Sequence, residues 1–297
     1  MEPQRDALDE LKLVVLVEDT APFDSKLLAQ HGISFYVEAR YREHVRRLIV
    51  DVGQDPATLE HNMTLLGIDA SNIDGVVLTH CHYDHTSGVA SLLARCCKKD
   101  IPVIAHPQLF RPNFTASPAL KYLGMRTSDS PENLSAAGGS LILSSDPLQV
   151  LPGLCTTGEV PRVTPFEAEP GPFLTLVDGR LAEDKMMDDM ALVANVKGRG
   201  IVVVTGCSHS GIVNIVKRAM EIYPGFKLEA IVGGFHLIKA SNEQIRLTAE
   251  SLRAYEPAWV CAGHCTGFKA QVALQLALGE RFSLLHSGSS FALSQAA

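Results

Sequence analysis

The sequence predicts an α+β protein in which two sheets are flanked by outer helices. Three observations lead there. Short β-branched runs of strand length alternate with stretches of helical periodicity, clusters of glycine and polar residues separate them, and several apolar runs end in glycine followed by histidine. The 297 residues, 46% hydrophobic and 20% charged, supply enough apolar surface for a sizeable core. No internal repeat, low-complexity tract or proline-rich linker divides the chain, so residues 1–297 are read as one domain.

The runs LKLVVLVED, ISFYVEAR and VRRLIVDVG predict three early strands. Residues 56–66 predict a helix, 74–79 a buried strand, 87–97 a second helix and IPVIAH a further strand. From about 110 to 146, Ser, Pro, Gly and Asn dominate without a sustained period, which predicts an excursion over the surface that roofs the active site. Order returns with the strands MALVANV and GIVVVTG, a helix over 212–223, the strand LEAIVGG and a helix over 242–254. WVCAG, a helix over 267–278 and RFSLLHSG complete the pattern.

A formal net charge of −7 leaves no basic footprint for a phosphate backbone, so nucleic acid is not an expected partner. No uncharged run reaches the roughly 18 to 20 residues that span a bilayer, and MEPQRDALDE lacks the apolar core of a signal peptide. The expected location is the cytoplasm, with no membrane contact. Seven cysteines, an odd number, make no disulfide framework and are expected to be reduced.

The stretch GVVLTHCHYDHTSG places His80, His82, Asp84 and His85 directly after an apolar run. A packed core gains nothing from three imidazoles and a carboxylate, each of which must be desolvated and then satisfied. Extended backbone would turn 80, 82 and 84 to one side, with His85 following on the turn. Such a loop offers two imidazoles to one metal ion and a carboxylate and imidazole to another. These donors suit two divalent ions, zinc first and manganese or iron next.

A local cluster cannot close two coordination spheres, so further ligands must come from distant strand ends. His209 in VVVTGCSHSG, His236 in LEAIVGGFH and His264 in WVCAGHCTG each follow a strand and glycine, which brings them to the same rim. Asp51 in LIVDVG ends an upstream strand and is expected to orient a ligand imidazole through the ring's other nitrogen. His31, His44, His61 and His286 lack this context and read as surface or packing residues, and His106 reads as structural.

The combination of LIVDVG, VVLTHCHYDHTSG and later glycine-preceded histidines resembles the metallo-β-lactamase-fold hydrolases over nearly the whole chain. That resemblance implies a four-layer αββα sandwich with a two-metal site at one edge of the sheets. VEDT, TGEVPR, TGCSHSG, VGGFHL and GHCTG are similar to the subgroup of 7,8-dihydropterin-6-methyl-4-(β-D-ribofuranosyl)aminobenzene-5′-phosphate synthase-like proteins. It implies His80 and His82 on one metal, Asp84 and His85 on the other, and His264 as the last histidine. Many relatives carry a histidine where LCTTGEVPR has none, and a bridging aspartate where this chain reads GCSH. His209 is therefore assigned to complete the first sphere, with Cys207, placed behind the ligands, or Glu159 as alternatives.

The implied chemistry is hydrolysis of an ester-type bond in a phosphorylated or phosphodiester small molecule by metal-activated water. Asp84 would accept a proton, and His236 would donate to developing negative charge. Arg162, whose planar fork suits phosphate or carboxylate, is placed at the substrate with Glu159. Synthase chemistry, a lactonase and a diiron redox centre are the alternatives that the resemblance leaves open.

Overall fold

Runs of Val, Ile and Leu that are apolar on both faces force a sheet between two other layers. The computed structural model, which describes residues 6–116, 118–167 and 171–295, has two such sheets. In spatial order the first runs Ser290–Ser294, Glu10–Val17, Ser34–Tyr41, His44–Val50, Gly75–Val77, Ile101–Ala105 and Gly139–Leu143. The second runs Phe282–Leu284, Trp259–Gly263, Leu228–Gly234, Gly200–Thr205, Ala191–Val196, Leu154–Thr156 and Gln149–Leu151.

The two-residue alternation divides each strand between two cores. Leu13 and Val15 meet Val202, Val204, Ala230 and Val232 between the sheets. Val14 and Leu16 face outward to Leu59, Met63, Leu92 and Leu93 on the helices Pro56–Leu65 and Val89–Cys96. On the far side, Val203, Ile231 and Val260 pack on Ile215, Leu252 and Leu274 of the helices Ile212–Ile222, Asn242–Ala254 and Phe268–Leu278. The layers are helix, sheet, sheet, helix, which is the αββα sandwich.

Within each sheet the strands that lead into the histidine-bearing loops run parallel to one another. His44–Val50, Gly75–Val77 and Ile101–Ala105 form one parallel set, and Gly200–Thr205, Leu228–Gly234 and Trp259–Gly263 the other. Parallel strands finish on one edge, so the loops after Val50, Val77, Thr205, Gly234 and Gly263 gather there.

The stretch 110–146 is not a featureless excursion. Phe114–Thr115 and Lys121–Tyr122 form a hairpin that joins Phe173–Val177 and Arg180–Glu183 in a third, four-stranded sheet. The remainder supplies the helix Pro131–Ala136 and the edge strand Gly139–Leu143 of the first sheet. Both strand pairs of the third sheet are half-exposed and short, which is why no apolar period marks them. Among the described residues no helix is long and apolar enough to cross a membrane.

Candidate metal centre

The loop after Gly75–Val77 is pinned from two directions. The Asp51 carboxylate accepts the Thr79 N–H at 2.8 Å and its hydroxyl at 2.7 Å, and Asp188 Oδ2 accepts the Cys81 N–H at 2.7 Å. Cys81 itself is turned into the outer core. From Tyr83 to Thr86 the backbone winds into one helical turn, closed by the Thr86 hydroxyl donating to the His82 carbonyl at 3.0 Å. The predicted alternation through residue 84 therefore stops at His82. The turn carries Asp84 and His85 towards His264 and leaves the ring of His80 beside those of His82 and His209.

His82 Nε2 is held by Asn113 Oδ1 at 3.0 Å, which leaves Nδ1 for a cation. His85 Nδ1 donates to Asp51 Oδ2 at 2.7 Å, as expected of Asp51, and Nε2 then lies 3.2 Å from Cys207 Sγ. Burial holds the His82 imidazole down to about 4. Burial and the neighbouring rings of His85 and His82 hold His80 well below the usual range. Both rings are thus neutral donors, the form that binds metal. His80 Nε2 is buried without a hydrogen-bond partner, which a cation would supply.

The second sheet closes on this loop through Gly206. A Cβ there would strike the Thr79 hydroxyl and lie 2.7 Å from Asp51 Oδ2 and 3.0 Å from His85 Nδ1. Gly206→Ala is therefore expected to cost about 1 to 3 kcal/mol by overpacking and to lower metal content. Denaturant unfolding and elemental analysis check it, and an unchanged metal content would show that the loops tolerate displacement. Beyond Gly206, Asp189 Oδ2 accepts the Ser210 N–H at 2.8 Å and the Ser208 hydroxyl donates to the Gly234 carbonyl at 2.7 Å, which fixes the loop carrying Cys207 and His209.

His264 is fixed by the VED segment after Glu10–Val17. Glu18 accepts its backbone N–H, and Asp19 Oδ1 accepts from its Nδ1 at 2.7 Å. Its Nε2 lies 3.4 Å from Asp84 Oδ2, an oxygen also 3.6 Å from His85 Nε2 and 3.3 Å from His31 Nε2. Burial alone would raise the Asp84 carboxyl, but His85 and His264 outweigh it and hold it well below the carboxylate range. For His264, burial opposes protonation, yet Cys265, Asp19 and Asp84 together hold the imidazole well above its usual value. This half of the site calls for positive charge.

The nitrogens of His80 and His209 and the Cys207 sulfur lie within 4.8 Å of one another, and so do those of His85, His264 and the same sulfur. The same sulfur also forms a third such group with His236 and Cys265, so Cys207 stands among the donors and not behind them, its side chain aimed at His85 of the first sheet. His236 lines the same cavity of about 440 Å³, its ring 4.0 Å from that of His209. The His236 backbone N–H donates to Cys265 Sγ at 3.3 Å, and its ring Nδ1 is buried without a hydrogen-bond partner. Asp51, Ser208, His236 and His264 all adopt left-handed φ, between 46° and 66°. Such strain costs about 1 to 3 kcal/mol per residue and gathers at functional sites.

Two expected substrate residues are elsewhere. Glu159 Oε1 is paired at 3.0 Å with the buried His106, which confirms a structural role for His106 and withdraws the carboxylate from the centre. Arg162 reaches the carbonyls of Met186 and His209 at 3.4 Å, bracing the second-sheet loop from behind, and neither residue lines the cavity. His31, read as a surface or packing residue, is exposed as expected, yet it also bridges Asp19 at 3.0 Å and Asp84 at 3.3 Å. Three further residues shape the site without standing out in the sequence: Cys265 joins the donors, and Asp188 and Asp189 pin the two loops. Their signal was an acidic doublet before a buried strand and a cysteine following a glycine and histidine.

Both the layer order and the two donor sets at one edge of the sheets define the class: the chain belongs to the metallo-β-lactamase superfamily. A family model for a β-lactamase superfamily domain matches residues 27–121. Over 284 residues the chain is 36% identical to the 7,8-dihydropterin-6-methyl-4-(β-D-ribofuranosyl)-aminobenzene-5′-phosphate synthase of Methanocaldococcus jannaschii, covering 95% of this chain and 96% of that one. The crystal structure of a metal-dependent hydrolase of the β-lactamase superfamily shares the fold, with a TM-score of 0.79 at 23% identity over 96% of this chain and 99% of that one. The metallo-β-lactamase-fold protein YhfI from Bacillus subtilis does so at 0.55 and 13%, over 96% and 99%.

Proposed function

We propose that the protein is a dinuclear metal-dependent hydrolase acting on an ester-type bond of a phosphorylated or phosphodiester small molecule. The observation that carries this reading is the Cys207 sulfur, common to three donor groups, of which those with His80 and His209 and with His85 and His264 draw on both sheets. His80, His82 and His209 would hold one ion, and Asp84, His85 and His264 the other. Imidazole, carboxylate and one thiolate suit zinc first, with manganese or iron as the next choices. When bound, two such ions supply a water acidic near neutrality and an electrophile for the substrate oxygen.

The remaining work falls to the chain. Asp51, Asn113 and Asp19 fix three imidazoles through their other nitrogens, which sets the direction of each donor atom. Phe173, buried with its ring 5.0 Å from those of both His82 and His209, keeps bulk water off that side. Asp84 accepts a hydrogen bond from the incoming water, and His236 faces the substrate as a donor to the oxygen that gains charge.

Elemental analysis of purified protein, combined with a screen of phosphodiester, phosphonate, lactone and pterin substrates, tests the proposal. About two ions per chain are expected, with phosphodiester turnover lost on chelation and restored by zinc. Fully loaded protein that turns over no ester would sink it. A second reading, synthase chemistry, is favoured by the 36% identity to the archaeal enzyme. Formation of the compound in that enzyme's name, without ester hydrolysis, would select it.

A further inference from the structure

The wall of the cavity carries cations that the metal centre does not use. Lys121, on the third-sheet strand Lys121–Tyr122, and Lys239, beyond His236, both line it and both are exposed. Lys121 Nζ lies 5.4 Å from the centroid of the Tyr83 ring, and the Arg126 guanidinium 4.9 Å from the same ring. Tyr83 stands between His82 and Asp84, and its N–H donates to the Leu123 carbonyl at 2.8 Å, so the strand bearing Lys121 is tied to the metal loop. In a chain of net charge −7, two lysines on the wall of one cavity are a local concentration of positive charge. Carboxylates do not cancel it: Asp19 and Asp84 on the same wall face the imidazoles of His31 and His264, and among the described residues neither lysine forms an ion pair.

We propose that Lys121 and Lys239 clamp a phosphate monoester carried by the substrate apart from the bond that reacts. This rests on the cavity's being the substrate site. The donor atoms are buried and the lysines are exposed, so one molecule reaching both must carry its anion away from the reacting bond. A cavity of about 440 Å³ has room for such a molecule. Two mobile ammonium groups suit a hydrated phosphate dianion that must enter and leave. The clamp makes the enzyme selective for small molecules with a terminal phosphate that survives turnover.

Isothermal calorimetry of the metal-loaded full chain with ribose 5-phosphate and with ribose tests this. The phosphorylated sugar should bind more tightly, Lys121→Met and Lys239→Met should each weaken it about fivefold, and the double variant should bind both sugars alike with metal content unchanged. Lys121→Arg should restore binding. A double variant that keeps the phosphate preference, a preference that disappears on chelation with both lysines intact, or wild type without a preference would overturn the clamp. Lysine-dependent binding in a protein that hydrolyses no ester would uphold the clamp and count against hydrolysis alone.

Discussion

Replacing Cys207 by alanine is expected to lower bound metal from two ions towards one or none and to reduce turnover by at least about a hundredfold, since loss of a mere supporting partner already costs 10- to 100-fold in affinity or activity. The Cys207 sulfur is within 4.8 Å of the nitrogens of both donor sets, so its removal opens both at once. The variant should fold, because the loop around it is held by Asp189 on Ser210 and by Ser208 on Gly234. Cys155→Ser is the control: that thiol is buried in the core beneath the outer helices and should leave metal content alone. Elemental analysis beside circular dichroism decides, and two ions in folded Cys207→Ala would reduce the thiol to a packing group.

His264→Ala should separate the two halves of the centre. Its ring meets Asp84 and lies with His85 and Cys207, while the His80 and His209 set does not include it. The expected variant folds, keeps about one ion and loses most activity, because in the proposed reaction two ions would be needed to activate one water. His286→Ala should do none of this, since its Nδ1 donates to the neighbouring Ser287 carbonyl at 3.0 Å and the residue does not line the cavity. Metal titration of the two variants checks the pair. Unchanged occupancy in folded His264→Ala would make His264 a packing residue and promote His236.

Much of this was legible because strand ends and chemistry coincide. The continuous apolar runs in LKLVVLV and GIVVVT report two buried faces, hence the sandwich, and the glycine and histidine after successive parallel strands report the common rim. What sequence hid was direction. Nothing in GCSH tells whether Cys207 faces the centre or backs it; that depends on the Gly206 turn packing against Asp51 and His85 from the other sheet. His31 was hidden for the same reason: its neighbours Asp19 and Asp84 lie 12 and 53 positions away and meet it only in the folded chain. Arg162 and Glu159 misled because a polar side chain in a glycine turn looks alike whether it faces a cavity or braces the loop beneath it.

The two donor sets draw on both sheets. Asp19, His31, Asp51, His80, His82, Asp84 and His85 follow strands of the first sheet, and Cys207, His209, His236 and His264 follow strands of the second. The first sheet alone supplies neither of these two sets, and the second alone brings together only Cys207, His236 and Cys265, so filling both sets would have to wait until the halves have docked. An ion in either of those sets would then be a rivet across the interface. Metal in solution would act on the assembly step itself, raising the unfolding free energy by about 4 kcal/mol at a thousandfold excess over its dissociation constant, and a cell short of that metal would meet this protein first as two sheets that part more easily.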